Sequence, residues 1–249
     1  TLNFVQKMYA KMIFNQALSR SDVVFSVSEF SRSEILKYTK TDKNIFVVPN
    51  AIDEGRFNNR YDSAVLEAAA REYKLPENFI LFVGNVKPHK NLKNLLFALE
   101  NTELNLVIVG KRDGFITSDS DILEIIEKNN LTERIFFTGY VKDADIAAIY
   151  NLAKLFVFPS LYEGFGIPPL EAQACGCPVV CSNVASMPEV CGDSVIYFDP
   201  CNVEEMRDKI QMVLNDEILQ NELRVKGFEN IKRFSWERSA KQIIKTMES

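Results

Sequence analysis

Apolar runs rich in Val, Ile, Leu and Phe recur at residues 79–83, 104–109, 135–137, 155–158, 178–181 and 195–198. Short runs of this kind, bounded by turn residues, predict buried strands. Between them the apolar positions shift to helical spacing: Leu92, Leu95, Leu96 and Leu99, then Ile122, Ile125 and Ile126, then Ile146, Ile149 and Tyr150. Strands without a polar face must be covered on both sides, and strand alternating with helix is the pattern of parallel α/β proteins. The pattern therefore predicts an α/β fold, with a Rossmann-like, doubly wound, six-stranded parallel sheet over residues 54–232. Ligands of such sheets bind outside the carboxyl ends of the strands, which directs attention to the strand-to-helix loops.

Residues 1–53 differ in kind. They predict an amphipathic helix carrying Phe4, Met8 and Met12, a strand over 22–27, a helix opened by Ser31, and a strand over 45–48. Ser31-x-x-Glu34 fits a capping box. Two parallel strands cannot bury a core of their own. This piece is therefore expected to be the end of a second Rossmann-like domain whose earlier strands are missing from a chain that starts at Thr1, the alternative being that its strands extend the main sheet. Over 233–249, Trp236 precedes a helix with Ala240, Ile243, Ile244 and Met247 on one stripe, which needs an apolar partner.

Composition narrows the function classes. The chain has 249 residues, 47% of them hydrophobic, with 34 acidic against 29 basic side chains. A net negative chain offers no overall basic field for nucleic acid, so no nucleic-acid partner is expected. The apolar runs fall far short of the ~20 residues that span a bilayer, and no secretory leader is recognisable, which reads as cytoplasmic. The five cysteines, Cys175, Cys177, Cys181, Cys191 and Cys201, lack the paired spacing of a structural zinc site. They are expected as small, reduced core residues.

Two loops carry candidate chemistry. The first is 159–178, Pro-Ser-Leu-Tyr-Glu-Gly-Phe-Gly-Ile-Pro-Pro-Leu-Glu-Ala-Gln-Ala-Cys-Gly-Cys-Pro, directly after the strand at 155–158. Gly164 and Gly166 admit close approach of backbone to a ligand, and the amides of Phe165, Gly166 and Ile167 lead into a helix whose positive end suits phosphate or sugar oxygens. Glu171, one turn into that helix, is placed to accept hydrogen bonds from a vicinal diol such as a ribose. Read alone, Glu163 is equally an exposed loop acid, and Glu171 a carboxylate that suits a helix N-terminus. The second loop, Gly84-Asn85-Val86-Lys87-Pro88-His89-Lys90-Asn91, offers backbone donors and a lysine charge to a diphosphate, or is simply a solvated basic loop.

Glu163 and Glu171 reproduce the spacing of an E-x7-E motif, and here the chain closely resembles the retaining family 4 glycosyltransferases, which have the two-domain GT-B fold. Phe137-Thr-Gly-Tyr-Val141, Ala153-Lys-Leu-Phe-Val-Phe-Pro-Ser160, Pro188-Glu-Val-Cys-Gly-Asp193 and Phe198-Asp-Pro200 look like that family too. So do the segments around Val27-Ser28-Glu29 and Pro49-Asn50-Ala51, and the likeness covers most of 22–245. It implies that 1–53 ends an acceptor domain otherwise missing, that 54–232 binds the donor, and that the helix of 233–249 crosses back over the acceptor side.

The resemblance also assigns roles. Lys90 is implied to bind the donor diphosphate and, with Glu163, to be catalytic, Glu163 holding the donor sugar's hydroxyls. Glu171 is implied to grip the ribose, and backbone near Val141, Gly110 and Lys111 to face the base. Many members carry an arginine just after the glycine of the second loop. Here that residue is Asn85, so one cationic contact is lost or is supplied by Lys87 or His89. The expected donor is a nucleotide-diphosphate sugar, GDP-mannose ahead of a UDP-sugar, because Pro-His-Lys-Asn and Gly-Ile-Pro-Pro-Leu-Glu look like polysaccharide mannosyltransferases. The acceptor is expected to be a glycan or a lipid-linked saccharide, with peripheral membrane association left open through the missing domain. No cofactor and no metal are expected. The D-x-D triplets at Asp119/Asp121 and Asp143/Asp145 read as helix caps. A nucleotide-sugar epimerase, a phosphorylase or a non-catalytic nucleotide-sugar-binding module remain as alternatives on the same fold.

Overall fold

The computed structural model describes residues 4–39, 41–110 and 121–248. In chain order the elements are α1 (Phe4–Arg20), β1 (Val24–Ser26), α2 (Glu29–Tyr38), β2 (Ile45–Val47), α3 (Ser63–Glu72), β3 (Phe79–Val83), α4 (Leu92–Ala98), β4 (Asn105–Val109), α5 (Asp121–Lys128) and β5 (Ile135–Gly139). They continue with α6 (Ile146–Leu152), β6 (Leu155–Phe158), α7 (Ile167–Ala174), β7 (Val179–Ser182), α8 (Met187–Cys191), β8 (Ile196–Phe198), α9 (Val203–Leu214), α10 (Glu217–Ile231) and α11 (Trp236–Met247).

Six strands form one parallel sheet in the order β5-β4-β3-β6-β7-β8. The apolar runs become buried strands because alternate side chains enter two cores. Leu81, Val107, Phe156 and Val179 join the core that also holds side chains of α6 and α7. Ile80, Phe82, Ile108, Leu155 and Val157 join the opposite core with side chains of α4, α5 and α9. The chain winds outward from β3 in one direction and from β6 in the other, so the loops leaving these neighbours diverge and leave a crevice at their carboxyl ends. Cys175, Cys177, Cys181 and Cys191 are buried in the first core, whereas Cys201 is exposed.

The strands β1 and β2 pair in parallel as a separate two-stranded sheet. Helix α11 lies back against it: the Ser239 hydroxyl donates to the Pro49 carbonyl at 2.7 Å and the Gln242 amide to the Val47 carbonyl at 2.9 Å. Between them is an apolar cavity of about 270 Å³ bordered by Phe25, Val27, Trp236, Ala240 and Ile243. The α11 stripe is thus divided, with Ala240 and Ile243 facing this cavity and Ile244 and Met247 exposed. Helix α1 forms where expected, but Phe4, Met8 and Met12 are exposed. Among the described residues no helix is long and apolar enough to cross a membrane.

One local expectation is corrected. Helix α2 opens at Glu29, not at Ser31, and its cap is Ser28, whose hydroxyl accepts from the Ser31 amide at 2.9 Å. Ser28 has the extended backbone that a capping residue requires, and this places Ser31 inside the first turn with its hydroxyl free for another partner.

Candidate active site at the sheet switch point

Gly84 takes the chain out of β3 with φ 151°, and its amide donates to the Val109 carbonyl at 3.0 Å. A short 3-10 turn over Pro88–Lys90 follows and ends on Asn91, which is left-handed at φ 58°. Asn91 is buried, and its side-chain amide reaches the carbonyls of Pro159 at 3.0 Å and Pro200 at 2.8 Å. The backbone adds a further tie, Leu161 amide to His89 carbonyl at 2.7 Å. The loop after β3 is therefore fastened to the loops after β6 and β8, and asparagine serves here because it tolerates the left-handed region while keeping two donors.

This fastening brings Lys90 to Glu163. Their Nζ and Oε1 are 2.6 Å apart, with each side chain only 17% exposed. Lys90 Nζ also lies 5.1 Å from the centre of the Phe158 ring. The exposed-acid alternative for Glu163 is overturned, since the carboxylate is largely enclosed and paired. The backbone around it is held as well: the Ser186 hydroxyl reaches the carbonyls of Glu163 at 3.0 Å and Phe165 at 2.8 Å. Gly166, at φ 94°, turns the chain into α7, and a Cβ there would lie 2.2 Å from Met187 Cε. The Phe165 side chain packs edge-on against Phe234 with ring centres 5.5 Å apart, so only its backbone is available to a ligand.

Glu171 lies one turn into α7, and its Oε2 accepts from the Tyr150 hydroxyl at 3.0 Å. Burial raises its pKa above the usual carboxylate value, opposed by the Tyr150 hydrogen bond and by the charge of Arg56. Burial likewise pushes the Tyr150 phenol well up, so it stays a donor. Arg56 was not foreseen. It follows β2 in a segment without periodicity, and only the fold sets it near Glu171 and within 3.5 Å of Asp143.

The remaining expected positions divide by exposure. Asn85, Lys87 and His89 are exposed in the β3 loop. Partial burial and the charges of Lys90 and Lys87 lower the His89 pKa, while Glu163 opposes the shift. Gly110 and Gly139 pair at the ends of β4 and β5, and the buried Val141 follows them. A Cβ on Gly110 would sit 2.7 Å from the Gly84 carbonyl oxygen, so the ends of β3 and β4 meet backbone to backbone. Lys111 and Asp119 lie outside the described residues, as does the side chain of Asp121. The capping expectation for Asp145 is corrected: it stands at the start of α6 in helical conformation without a cap bond, and its carboxylate accepts from the Tyr73 hydroxyl at 2.6 Å. A residue already helical cannot turn its side chain back onto the first free amides.

A parallel sheet whose two divergent central loops bring a lysine and a carboxylate together defines an α/β protein with a ligand site at the switch point, and its fold matches that of GT-B glycosyltransferase structures. The chain belongs to the family described as glycosyl transferases group 1, whose model matches residues 67–247. Among solved structures, HepE of Anabaena in complex with UDP and glucose aligns with a TM-score of 0.86 at 19% identity, covering 99% of this chain and 68% of that one. Sucrose-phosphate synthase from Thermosynechococcus elongatus aligns with a TM-score of 0.83 at 24% identity, covering 99% and 61%. In sequence, the serotype-specific mannosyltransferase WbdA of Escherichia coli is 34% identical over 229 residues, 89% of this chain and 28% of that protein. The O-antigen chain mannosyltransferase B of Escherichia coli is 32% identical over 241 residues, 95% and 63%. The chain thus spans less than two thirds of the length of either mannosyltransferase.

Proposed function

We propose that this chain carries the donor site of a retaining mannosyltransferase, using GDP-mannose to extend a glycan or lipid-linked saccharide of a surface polysaccharide. The observation that carries the reading is the Lys90–Glu163 pair at 2.6 Å, which sets a fixed cation and a fixed carboxylate side by side at the ligand end of the sheet. The names of the sequence relatives favour mannose over other sugars. That HepE, a structural relative, is in complex with UDP and glucose supports a nucleotide-sugar ligand for this chain.

In the proposed reaction the bond from the sugar's anomeric carbon to the β-phosphate oxygen breaks, its electron pair leaving with the diphosphate. The acceptor hydroxyl oxygen forms the new bond, and its proton passes to the diphosphate oxygen that the step releases. Negative charge therefore grows on phosphate while positive charge grows on the sugar. Lys90 and the amides of the Gly84 and Gly164 loops stabilise the first, each such donor being worth about 3 kcal/mol of barrier. Glu163 orients the sugar hydroxyls and faces the developing cation. Glu171 holds the ribose diol, with Tyr150 orienting its carboxylate. Backbone at Gly110 and Val141 borders the base. Nothing in this scheme requires a metal ion or cofactor.

Titration calorimetry of the chain with GDP, UDP, ADP and their diphosphate sugars tests the proposal. Selective binding of GDP-mannose, weakened by both Lys90→Ala and Glu171→Ala, is the expected result. Equal weak binding of all of them, untouched by either substitution, would remove the assignment.

A further inference from the structure

We infer that α2 is a clamp on the sugar-holding loop, in which Ser28 and Ser31 are positioning residues for Glu163 and Glu189 locks the clamp shut. The inference rests on the donor site proposed above. The central observation is the Gly164 carbonyl, next in the chain to Glu163, which accepts from the Ser28 hydroxyl at 2.5 Å and the Ser31 hydroxyl at 2.8 Å. Both partners come from the β1–α2 segment. The approach is close: a Cβ on Gly164 would stand 3.2 Å from Ser31 Oγ, so the hydroxyl would have to shift by a few tenths of an ångström, and the Gly164 backbone is not left-handed.

Ser28 does two things with one hydroxyl. It accepts from the Ser31 amide, capping α2, and donates to Gly164, so helix and loop are joined through the same atom. The reciprocal contact comes from α8, where the Glu189 carboxylate accepts the amides of Glu29 at 2.8 Å and Phe30 at 3.2 Å. These are free first-turn donors at the positive end of a ten-residue helix, and a carboxylate suits them in hydrogen bonding and charge. Tyr162 completes the contact, donating to Glu34 at 3.1 Å and packing edge-on to Phe30 at 5.2 Å.

The consequence reaches the site through peptide geometry. In a trans peptide the carbonyl and the following amide point opposite ways. Ser186 holds the carbonyls of Glu163 and Phe165, and Ser28 with Ser31 hold that of Gly164, so three successive peptide planes are set. The Phe165 amide is thereby turned away from α2, and the Cα of Glu163 is anchored beside Lys90. Releasing α2 would free the middle plane and loosen the grip on the sugar while leaving the β3 loop, which meets the phosphates, in place.

The test compares GDP with GDP-mannose on the whole chain by titration calorimetry, and follows hydrogen exchange of the 161–166 amides without ligand. In Ser28→Ala/Ser31→Ala the preference for GDP-mannose over GDP should fall by roughly tenfold, as expected for lost hydrogen bonds, with GDP-mannose affinity changing far more than GDP affinity. Exchange should rise in 161–166 and not in β3 or β4. Ser31→Ala alone keeps the helix cap and should move both readouts the same way by less, and Ser31→Thr should restore them. Unchanged preference with unchanged loop exchange, or a parallel loss of GDP affinity, would overturn the clamp. If the parent chain binds no nucleotide while loop exchange still rises in the double variant, the clamp stands and the donor reading falls.

Discussion

Lys90 and Glu163 meet at 2.6 Å across the switch point of the sheet, one from the loop after β3 and one from the loop after β6, with both side chains mostly enclosed. Neither loop alone holds its charge in place. Asn91 and the Leu161–His89 backbone bond fix the distance between the loops, and the pair forms within that frame. Under the proposed function, a diphosphate arriving at Lys90 would share it with a carboxylate already in contact.

That competition gives the two halves of the pair opposite effects on nucleotide binding. Lys90→Ala removes the cation and leaves Glu163 to repel phosphate, so GDP affinity should fall by roughly ten- to a hundredfold, the range for a charged hydrogen bond. Glu163→Gln frees Lys90, so GDP affinity should rise while the preference for GDP-mannose over GDP shrinks. Calorimetry at low and moderate salt checks both, and a fall in GDP affinity for Glu163→Gln would contradict the competition.

The six strands were legible because each is a short, continuous apolar run, and Ile80, Leu81 and Phe82 have core on both faces. Their order was not spelled out residue by residue, but the loops that matter follow strands recognisable in sequence. What escaped the reading depends on distant contacts. Ser28 and Ser31 are equally good capping residues by type, and only the fold shows that one caps α2 while both reach Gly164. Glu189 reads as an ordinary early-helix acid, yet its partners are amides of another helix. Arg56 has no local pattern around it, and its place near Glu171 arises from how the segment after β2 packs.

Glu171 makes a prediction about pH. Its folded pKa is raised, chiefly by burial. The folded state thus holds this proton more tightly than the unfolded chain, and the associated stability is present at low pH and lost as pH rises through the raised pKa. Above it the protein carries a buried carboxylate at a cost. Glu171→Gln should accordingly gain in melting temperature relative to the parent as pH is raised from about 4 to about 7, and should bind GDP less well. A difference in melting temperature that does not change with pH would show that the carboxylate titrates normally.

The thiols should react unequally. Burial pushes Cys175 up to about 12 and Cys181 and Cys177 well above the ordinary thiol range, whereas Cys201 is exposed. Because the thiolate is the reactive form, a polar maleimide should label Cys201 alone in the folded chain and all five cysteines in denaturant. Mass spectrometry of the labelled protein gives the count directly. Rapid native labelling at Cys175 would mean that the first core opens near Glu171.

Gly110 offers a way to displace the loop after β3 without touching a charged residue. A Cβ at this position would lie 2.7 Å from the Gly84 carbonyl oxygen, and that neighbour is backbone, unable to swing aside as a side-chain end can. Gly84 in turn is held to Val109 by its amide, so relief of the clash must move the end of β3, the start of the loop that carries Lys90. Gly139 is the control. It is left-handed at φ 70°, yet a Cβ there meets nothing within 4 Å. Gly139→Ala should therefore lose only about 1 kcal/mol of stability to backbone strain and keep most of its GDP affinity. Gly110→Ala should lose GDP and GDP-mannose affinity in parallel, because the proposed diphosphate contact is common to both, while the proposed clamp on the loop after β6 is undisturbed. Paired calorimetry and denaturant melts of the two variants separate strain from displacement, and equal GDP binding by both would mean that β3 and β4 part without moving Lys90.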